Sequence, residues 1–144
     1  MEKLVTRKSN LTPWIYKQEP CDRWWFPPEG AYGFTYEIVC KPNKRRYIGK
    51  KSFKRKRKDK NNKIFLAESN WRNYFGSSNH VDNDVSLYGY RAFDREMLKI
   101  CYSSLELSYQ ETKLLFVHET IETDEFYNQS IGGKYYASNL FPST

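Results

Sequence analysis

The chain has 144 residues, enough for one domain, and a net charge of +7. Its hydrophobic content of 39% and aromatic content of 17% exclude a disordered chain, and the lack of an apolar run of about 18 residues excludes a membrane-spanning helix. Three cysteines without a CxxC pair argue against a disulfide framework or a zinc site. The first ten residues also lack the apolar segment of a signal peptide. We therefore expect a cytoplasmic protein.

The first 32 residues are predicted to form an irregular N-terminal arm, because four prolines interrupt any helix there. This arm also contains four large aromatic residues, Trp14, Trp24, Trp25 and Phe26. Two interpretations stay open at this point. The aromatic rings can pack on the domain that follows, or they can stack on nucleic-acid bases.

Residues 33–50 are predicted to form a β-hairpin. The run "GFTYEIVC" alternates, with Phe34, Tyr36, Ile38 and Cys40 on one face. "KPNK" supplies turn residues, and "RRYIGK" is the returning strand.

The positive charge is concentrated in and after this hairpin. Residues 41–63 contain thirteen basic residues and one acid, Asp59, so this segment carries +12 and the remainder −5. Such a cluster favours a polyanion, because neutralised phosphates release their counterions. A solvated tail or a localisation signal is the alternative, although the cluster overlaps a hydrophobic strand.

The next segments are predicted from short local signals. A short helix is expected around "FLAESNWRNYF", and a second over residues 77–89, where Ser77 or Ser78 can cap the start and Gly89 ends it. "FDREMLKIC" has the character of a strand.

The longest helix is predicted over "SSLELSYQETKLLFVHETI". Ser103 and Glu106 form a possible capping box at its start. Glu111 lies in the same stripe as Leu107 and Leu115. A carboxylate in an apolar stripe is costly unless it reaches water, pairs with an arginine or binds a metal ion, and the helix alone does not distinguish these.

Several of these features occur in one order along the chain: "FTY" at 34–36, "YIG" at 47–49, the basic segment, Glu111 and the later "FYNQ". In this order they resemble the motifs of the GIY-YIG nuclease family. Phe34-Thr35 stands where that family usually has Gly-Ile. The resemblance implies an α+β domain over residues 33–144, with a three-stranded antiparallel sheet flanked by helices. The further pattern "YIGKKSF…W..YFGSS" resembles small phage-encoded endonucleases, so a phage or mobile-element origin, as for homing endonucleases, is expected.

The resemblance also implies the active-site residues and one divalent ion, Mg²⁺ or Mn²⁺, bound by Glu111. Arg57 matches the catalytic arginine, although Arg55 is close enough to be the match instead. Tyr74 or a lysine would replace a further family histidine or tyrosine. The full catalytic set is Tyr36, Tyr47, Arg57, Tyr74, Glu111 and Asn128, and the expected DNA contacts are Gly49, Lys50, Lys51, Lys54, Arg55, Lys56 and Lys58.

Two phenols beside dense positive charge suggest a chemistry for phosphodiester hydrolysis. A free tyrosine has a pKa of about 10, and we expect the surrounding cations to lower it, so that Tyr36 or Tyr47 can accept a proton from water. Arg57 would stabilise charge on the phosphate. Gly49 is expected to leave room for the phosphate to approach.

The expected function is metal-dependent cleavage of DNA, by nicking or double-strand breakage, in a monomer or homodimer. One alternative is an inactive nucleic-acid-binding module of the same fold. Another is an RNA-binding protein, since "GAYGFTYEIV" partly matches an RNP1 motif.

Overall fold

The computed structural model describes residues 11–141, so the first ten residues, where no signal peptide is expected, lie outside the described range. Within that range the strands are β1 (Ile15–Tyr16), β2 (Glu19–Pro20), β3 (Gly33–Cys40), β4 (Arg46–Ser52), β5 (Lys54–Lys58), β6 (Ile64–Glu68), β7 (Phe93–Cys101), β8 (Ser130–Ile131) and β9 (Tyr135–Tyr136). The helices are α1 (Asn79–Tyr88), α2 (Ser104–Val117) and α3 (Ala137–Leu140), with 3₁₀ turns at Trp71–Asn73, Tyr90–Ala92 and Thr120–Glu122.

The central sheet has five strands in the order β2-β1-β7-β3-β4. Strand β3 is antiparallel to β4 and β7, and β1 is parallel to β7. The α+β class is confirmed, but the expected three-stranded antiparallel sheet is wrong, because the sheet is five-stranded and mixed. The additional strands come from residues 15–20, which are too short to show a periodic pattern. Strand β1 joins the sheet by pairing with the distant β7, and β2 pairs with β1.

Part of the N-terminal arm is packed into the core. Trp14 is fully buried, and its indole Nε1 donates a 2.7 Å hydrogen bond to the backbone oxygen of Trp71. The ring of Trp25 packs edge-on against Trp71, with 5.8 Å between centroids. Packing of the arm is therefore confirmed for these two tryptophans, whereas Trp24 and Phe26 are exposed.

The predicted hairpin over residues 33–50 is confirmed as β3 and β4. Tyr36 lies opposite Gly49, and Ile38 lies opposite Tyr47. In the turn, the side-chain oxygen of Asn43 accepts a 2.9 Å hydrogen bond from the backbone N–H of Arg45. This register places both motif tyrosines on neighbouring strands, two positions apart.

The short helix expected around "FLAESNWRNYF" is wrong. Its first residues form β6, which pairs with the basic β5 in a separate two-stranded sheet, and only Trp71–Asn73 makes a helical turn. The turn between β5 and β6 stabilises this second hairpin. Asp59 accepts hydrogen bonds from the backbone N–H groups of Asn61 and Lys63, and Asn62 adopts a left-handed φ of 63°.

The other predicted elements are present. The strand "FDREMLKIC" is β7. Helix α1 begins after Ser78, whose hydroxyl accepts from Val81 N–H at 3.3 Å, and ends at Gly89. Helix α2 begins after Ser103, whose hydroxyl accepts from Glu106 N–H at 3.0 Å. No helix within residues 11–141 has the length and apolarity needed to cross a bilayer.

Candidate active site

Three phenols converge beside the β3–β4 hairpin. Tyr36 is buried on β3, and Tyr47 is half-buried on β4, with 6.2 Å between their ring centroids. Tyr74, from the loop after the Trp71–Asn73 turn, places its ring edge-on to Tyr36 at 6.0 Å. The hydroxyl of Tyr47 shares a 3.3 Å hydrogen bond with the hydroxyl of Ser77. The structure thus brings three of the predicted catalytic residues into one cluster, which we call the phenol cluster (Tyr36, Tyr47 and Tyr74).

Gly49 is required by the phenol cluster itself. A Cβ atom at Gly49 would lie only 2.4 Å from the hydroxyl oxygen of Tyr36. The missing side chain therefore lets the Tyr36 phenol lie across β4. We expected Gly49 to leave room for a phosphate, but the space is occupied by Tyr36, and a contact between Gly49 and DNA stays a prediction.

The expectation that nearby cations lower the tyrosine pKa values is wrong for the free protein. Burial raises the pKa of Tyr36 well above its ordinary value, and the neighbouring phenols of Tyr47 and Tyr74 raise it further. Burial also raises the pKa of Tyr47, although its hydrogen bond to Ser77 acts in the opposite direction. Burial is the largest cause for both tyrosines, and the charges that contribute to the shifts are those of other phenols and Glu111 rather than of cations. Both tyrosines are therefore protonated at neutral pH.

Glu111 lies at the edge of the phenol cluster, on α2. Helix α2 packs on β3 and β4, and the negative charge of Glu111 contributes to the raised pKa values of Tyr36 and Tyr47. Burial raises the pKa of Glu111, and the charge of Lys50 partly offsets this. Lys50 itself donates a 2.9 Å hydrogen bond to Ser108, one turn earlier on α2.

The carboxylate of Glu111 has no ion-pair partner in the described part of the chain. Among residues 11–141, no Lys, Arg or His forms an ion pair with Glu111, and no group of three His, Cys, Asp or Glu side chains comes together. A closed metal cage is therefore excluded within this range. A single carboxylate does suit Mg²⁺, which usually keeps several waters and is held by one or two carboxylates together with substrate phosphates.

The two candidate arginines differ in their connection to the phenol cluster. Both lie on β5, whose side chains are all exposed, and both point to the same face because they are two residues apart. Lys51 places its ammonium 4.2 Å from the centroid of the Tyr74 ring. Burial and then the charge of Arg55 lower the pKa of Lys51. Arg57 lies two residues further along β5, towards the hairpin turn.

The basic side chains of the DNA-binding set divide between two surfaces. Strand β4 carries Lys50 and Lys51 beside the phenol cluster. On β5, Lys54, Lys56 and Lys58 point to the face opposite Arg55. The fully exposed β5 presents a row of positive charge along the hairpin.

Asn128 does not point freely into the site. Its amide makes two hydrogen bonds with the backbone of Ile48: Oδ1 accepts from the N–H at 3.1 Å, and Nδ2 donates to the carbonyl at 2.8 Å. Asn128 is 7% exposed and Ile48 is 1% exposed. The side chain therefore continues the hydrogen-bond ladder at the edge of β4, between Tyr47 and Gly49, and we expect it to position this part of the strand.

Arg95 was not identified as a functional residue from the sequence. It is buried, and its guanidinium donates to the backbone oxygens of Thr12, Arg72 and Tyr74, the last at 2.7 Å. Burial lowers its pKa to about 10. It thereby ties the loop that carries Tyr74 to β7. The available signal was its inward position in the alternation of β7, between Phe93 and Met97.

Comparisons with known proteins agree with this arrangement. The family model described as "Putative endonuclease segE, GIY-YIG domain" matches residues 14–131. The match begins before residue 33, where we placed the start of the domain, and includes Trp14 and β1. A search of curated proteins and a search of solved structures each found no match. Because the family model spans most of the chain, from Trp14 through the phenol cluster, Glu111 and Asn128, this protein belongs to the GIY-YIG endonuclease family.

Proposed function

We propose that this protein is a DNA endonuclease that hydrolyses phosphodiester bonds with one divalent cation, Mg²⁺ or Mn²⁺. Membership of a nuclease family implies a nucleic-acid substrate. The observation that carries the proposal is the desolvated Glu111 beside three converging phenols, because a half-buried carboxylate without an ion pair in the described residues costs free energy unless a cation joins it.

Tyr47 is the phenol we assign to water activation. It is less buried than Tyr36, and its hydrogen bond to Ser77 favours the phenolate. In this assignment Tyr47 first loses its own proton to solvent, and the phenolate oxygen then accepts the proton of the attacking water. Tyr36, which is 1% exposed, instead holds the position of the neighbouring rings.

Glu111 is the residue that would hold the divalent cation. When bound there, Mg²⁺ or Mn²⁺ would polarise the phosphate, stabilise the leaving oxygen and favour ionisation of the adjacent phenols. Lys50, held by Ser108 next to Glu111, is placed to bind a phosphate oxygen.

Arg55 is our choice for the arginine that stabilises charge on the phosphate, in place of Arg57. The influence of Arg55 on Lys51, and the contact of Lys51 with the Tyr74 ring, connect Arg55 to the phenol cluster. A guanidinium aimed at a phosphate stabilises the transition state through paired hydrogen bonds. Arg57 then contacts the DNA backbone with the lysines of β5.

The mode of cleavage and the biological setting remain part of the proposal. One active site per chain favours nicking by a monomer, and a homodimer would be needed for a double-strand break in one visit. The association with a phage or another mobile element and the cytoplasmic location are expectations from the sequence.

The test is cleavage of supercoiled plasmid with Mg²⁺ and with EDTA, using wild type, Glu111→Ala and the control Glu122→Ala. Glu122 is an exposed acid outside the site. We expect Mg²⁺-dependent cleavage by wild type and by the control, and none by Glu111→Ala, while DNA binding measured by fluorescence anisotropy survives or tightens. Cleavage by Glu111→Ala within a few-fold of wild type would contradict the metal-binding role. DNA binding without cleavage by wild type would favour an inactive module, and a preference for RNA would favour an RNA-binding protein.

A further inference from the structure

An apolar hollow lies between the N-terminal arm and the β5–β6 hairpin, and we call it the arm–hairpin hollow. Its volume is about 560 Å³, within the range of ordinary ligand sites. Residues 26–32 of the arm form one wall, and Leu66 of β6 lies on the hairpin side. The rings of Phe53 and Trp71 lie at its base, and Tyr102 lies at its edge.

The lining of the hollow is aromatic and open to solvent. Tyr32 and Tyr102 are 40% and 55% exposed, and Leu66 and Phe26 are 64% and 69% exposed. Exposed aromatic rings around a concave surface suit a flat π-system that can stack on them. A nucleobase is such a ligand. Stacking of a base on an aromatic side chain strengthens the binding of DNA and depends little on which base it is.

Positive charge next to the hollow suits the phosphate backbone of a DNA strand that would carry such a base. Lys54 lines the hollow, and Lys56 and Lys58 follow on the same face of β5. The fully basic β5 therefore places positive charge where the phosphates flanking a bound base would lie.

The hollow also lies next to the active site. Tyr32 lines both this hollow and a smaller neighbouring one, of about 290 Å³, whose other residues include Lys50, Lys51 and Tyr74. A DNA strand passing over the phenol cluster can thus reach the arm–hairpin hollow along a path lined by lysines.

One polar group inside the hollow suits the hydrogen-bonding edge of a base. Oε1 of Glu68 accepts hydrogen bonds from Trp71 Nε1 at 2.9 Å and from Arg72 Nε at 3.2 Å. Its second oxygen, Oε2, accepts none from any residue in the range 11–141. A carboxylate oxygen held in this way can accept from the amino or imino N–H of a nucleobase.

We propose that the arm–hairpin hollow binds one unpaired, extrahelical nucleobase of the DNA substrate. This inference rests on the proposed function, because it requires DNA as the substrate. It assigns the N-terminal arm and β6 to recognition of DNA structure. Fully paired DNA would then bind mainly through the basic strands, and DNA with an unpaired base would gain the additional stacking contact.

The experiment compares two DNA duplexes of the same sequence, one fully paired and one with a single bulged nucleotide. Binding is measured in EDTA, so that cleavage does not interfere. In a parallel measurement the bulged nucleotide is 2-aminopurine, whose fluorescence is quenched when it stacks. The variants are Tyr102→Ala and Leu66→Ala, and the matched control is Tyr109→Ala, since Tyr109 is a similarly exposed tyrosine on α2 outside the hollow.

We expect wild type and Tyr109→Ala to bind the bulged duplex roughly 5- to 150-fold more tightly than the paired one, the range for one stacked base, and to quench 2-aminopurine. Tyr102→Ala and Leu66→Ala should lose most of this preference while keeping their affinity for paired DNA. The proposal is overturned if wild type shows no preference or if both hollow variants retain it. If wild type still cleaves plasmid, only the base site has failed; if it binds neither duplex, the proposed function has failed as well.

Discussion

Replacing Asn128 with alanine tests whether this residue positions β4 or contacts the substrate. The substitution removes both hydrogen bonds to the Ile48 backbone and leaves one buried N–H and one buried carbonyl without their partner. Each unsatisfied buried group costs about 1–3 kcal/mol, so we expect a loss of roughly 2–4 kcal/mol after partial relaxation and water entry. For a chain of this size that corresponds to a fall in Tm of roughly 5–15 °C.

The measurements are urea denaturation followed by tryptophan fluorescence, thermal melting followed by circular dichroism, and single-turnover cleavage. Gln129→Ala is the matched control, because within residues 11–141 the Gln129 amide makes a single hydrogen bond, 3.3 Å long, to the Tyr127 carbonyl. We expect the control to lose less than about 1 kcal/mol.

Asn128→Asp provides a second readout. The carboxylate can still accept from the Ile48 N–H, but it places an oxygen against the Ile48 carbonyl. Only the protonated acid can donate there, so the pKa of the introduced group should be raised in the folded state. Stability of this variant should therefore be greatest at low pH and fall as the pH rises through that folded-state pKa. If Asn128→Ala keeps its stability within about 0.5 kcal/mol yet loses cleavage, the positioning argument is refuted and the amide contacts the substrate.

Three further predictions concern charge and proton transfer. Because burial raises the pKa of Glu111, ionisation of this carboxyl destabilises the folded protein, so Glu111→Gln should have a higher Tm than wild type at pH 7. The difference in Tm should fade as the pH falls below the pKa of this carboxyl in the unfolded chain, and a lower Tm of the variant at pH 7 would contradict the argument. Tyr47→Phe should slow single-turnover cleavage by about 10²–10⁴-fold with little change in stability, and an unchanged rate would mean that the Tyr47 hydroxyl has only a structural role. The cleavage rate of wild type should rise with pH above neutrality, whereas that of the variant should not depend on pH there. At saturating enzyme the cleavage rate of Arg55→Ala should stay low, whereas the rates of Arg57→Ala and Lys54→Ala should return to that of wild type; a rate loss in Arg57→Ala alone would instead identify Arg57 as the catalytic arginine. Arg57→Ala and Lys54→Ala should each flatten the slope of log K for DNA binding against log salt by about 1 or less.

Local patterns determined most of the elements and the family. The alternation in "GFTYEIVC" and the turn after it specify β3 and β4, and the capping serines specify where α1 and α2 begin. These signals act between residues close in sequence, so they can be seen without the fold. The two tyrosine motifs, the basic segment, Glu111 and "FYNQ" in this order carried the family resemblance, which the family model confirms.

Contacts between distant segments decided the rest. Residues 15–16 become a strand because β7 offers them hydrogen bonds, and Asn128 supports β4 because the chain returns alongside Ile48. A pattern of residue types does not contain these pairings, since each partner lies about 80 residues away along the chain.

The electrostatics of the site could not be read from charge counts either. The sequence places both tyrosines beside many basic residues and predicts lowered pKa values, yet the basic strand β5 is exposed while Tyr36 is enclosed by aromatic rings. The sign of a pKa shift depends on desolvation and on the distance to each charge, and both are set by the tertiary structure. The sequence thus indicated the candidate groups, and the fold decided which of them are buried, which are paired and which are exposed.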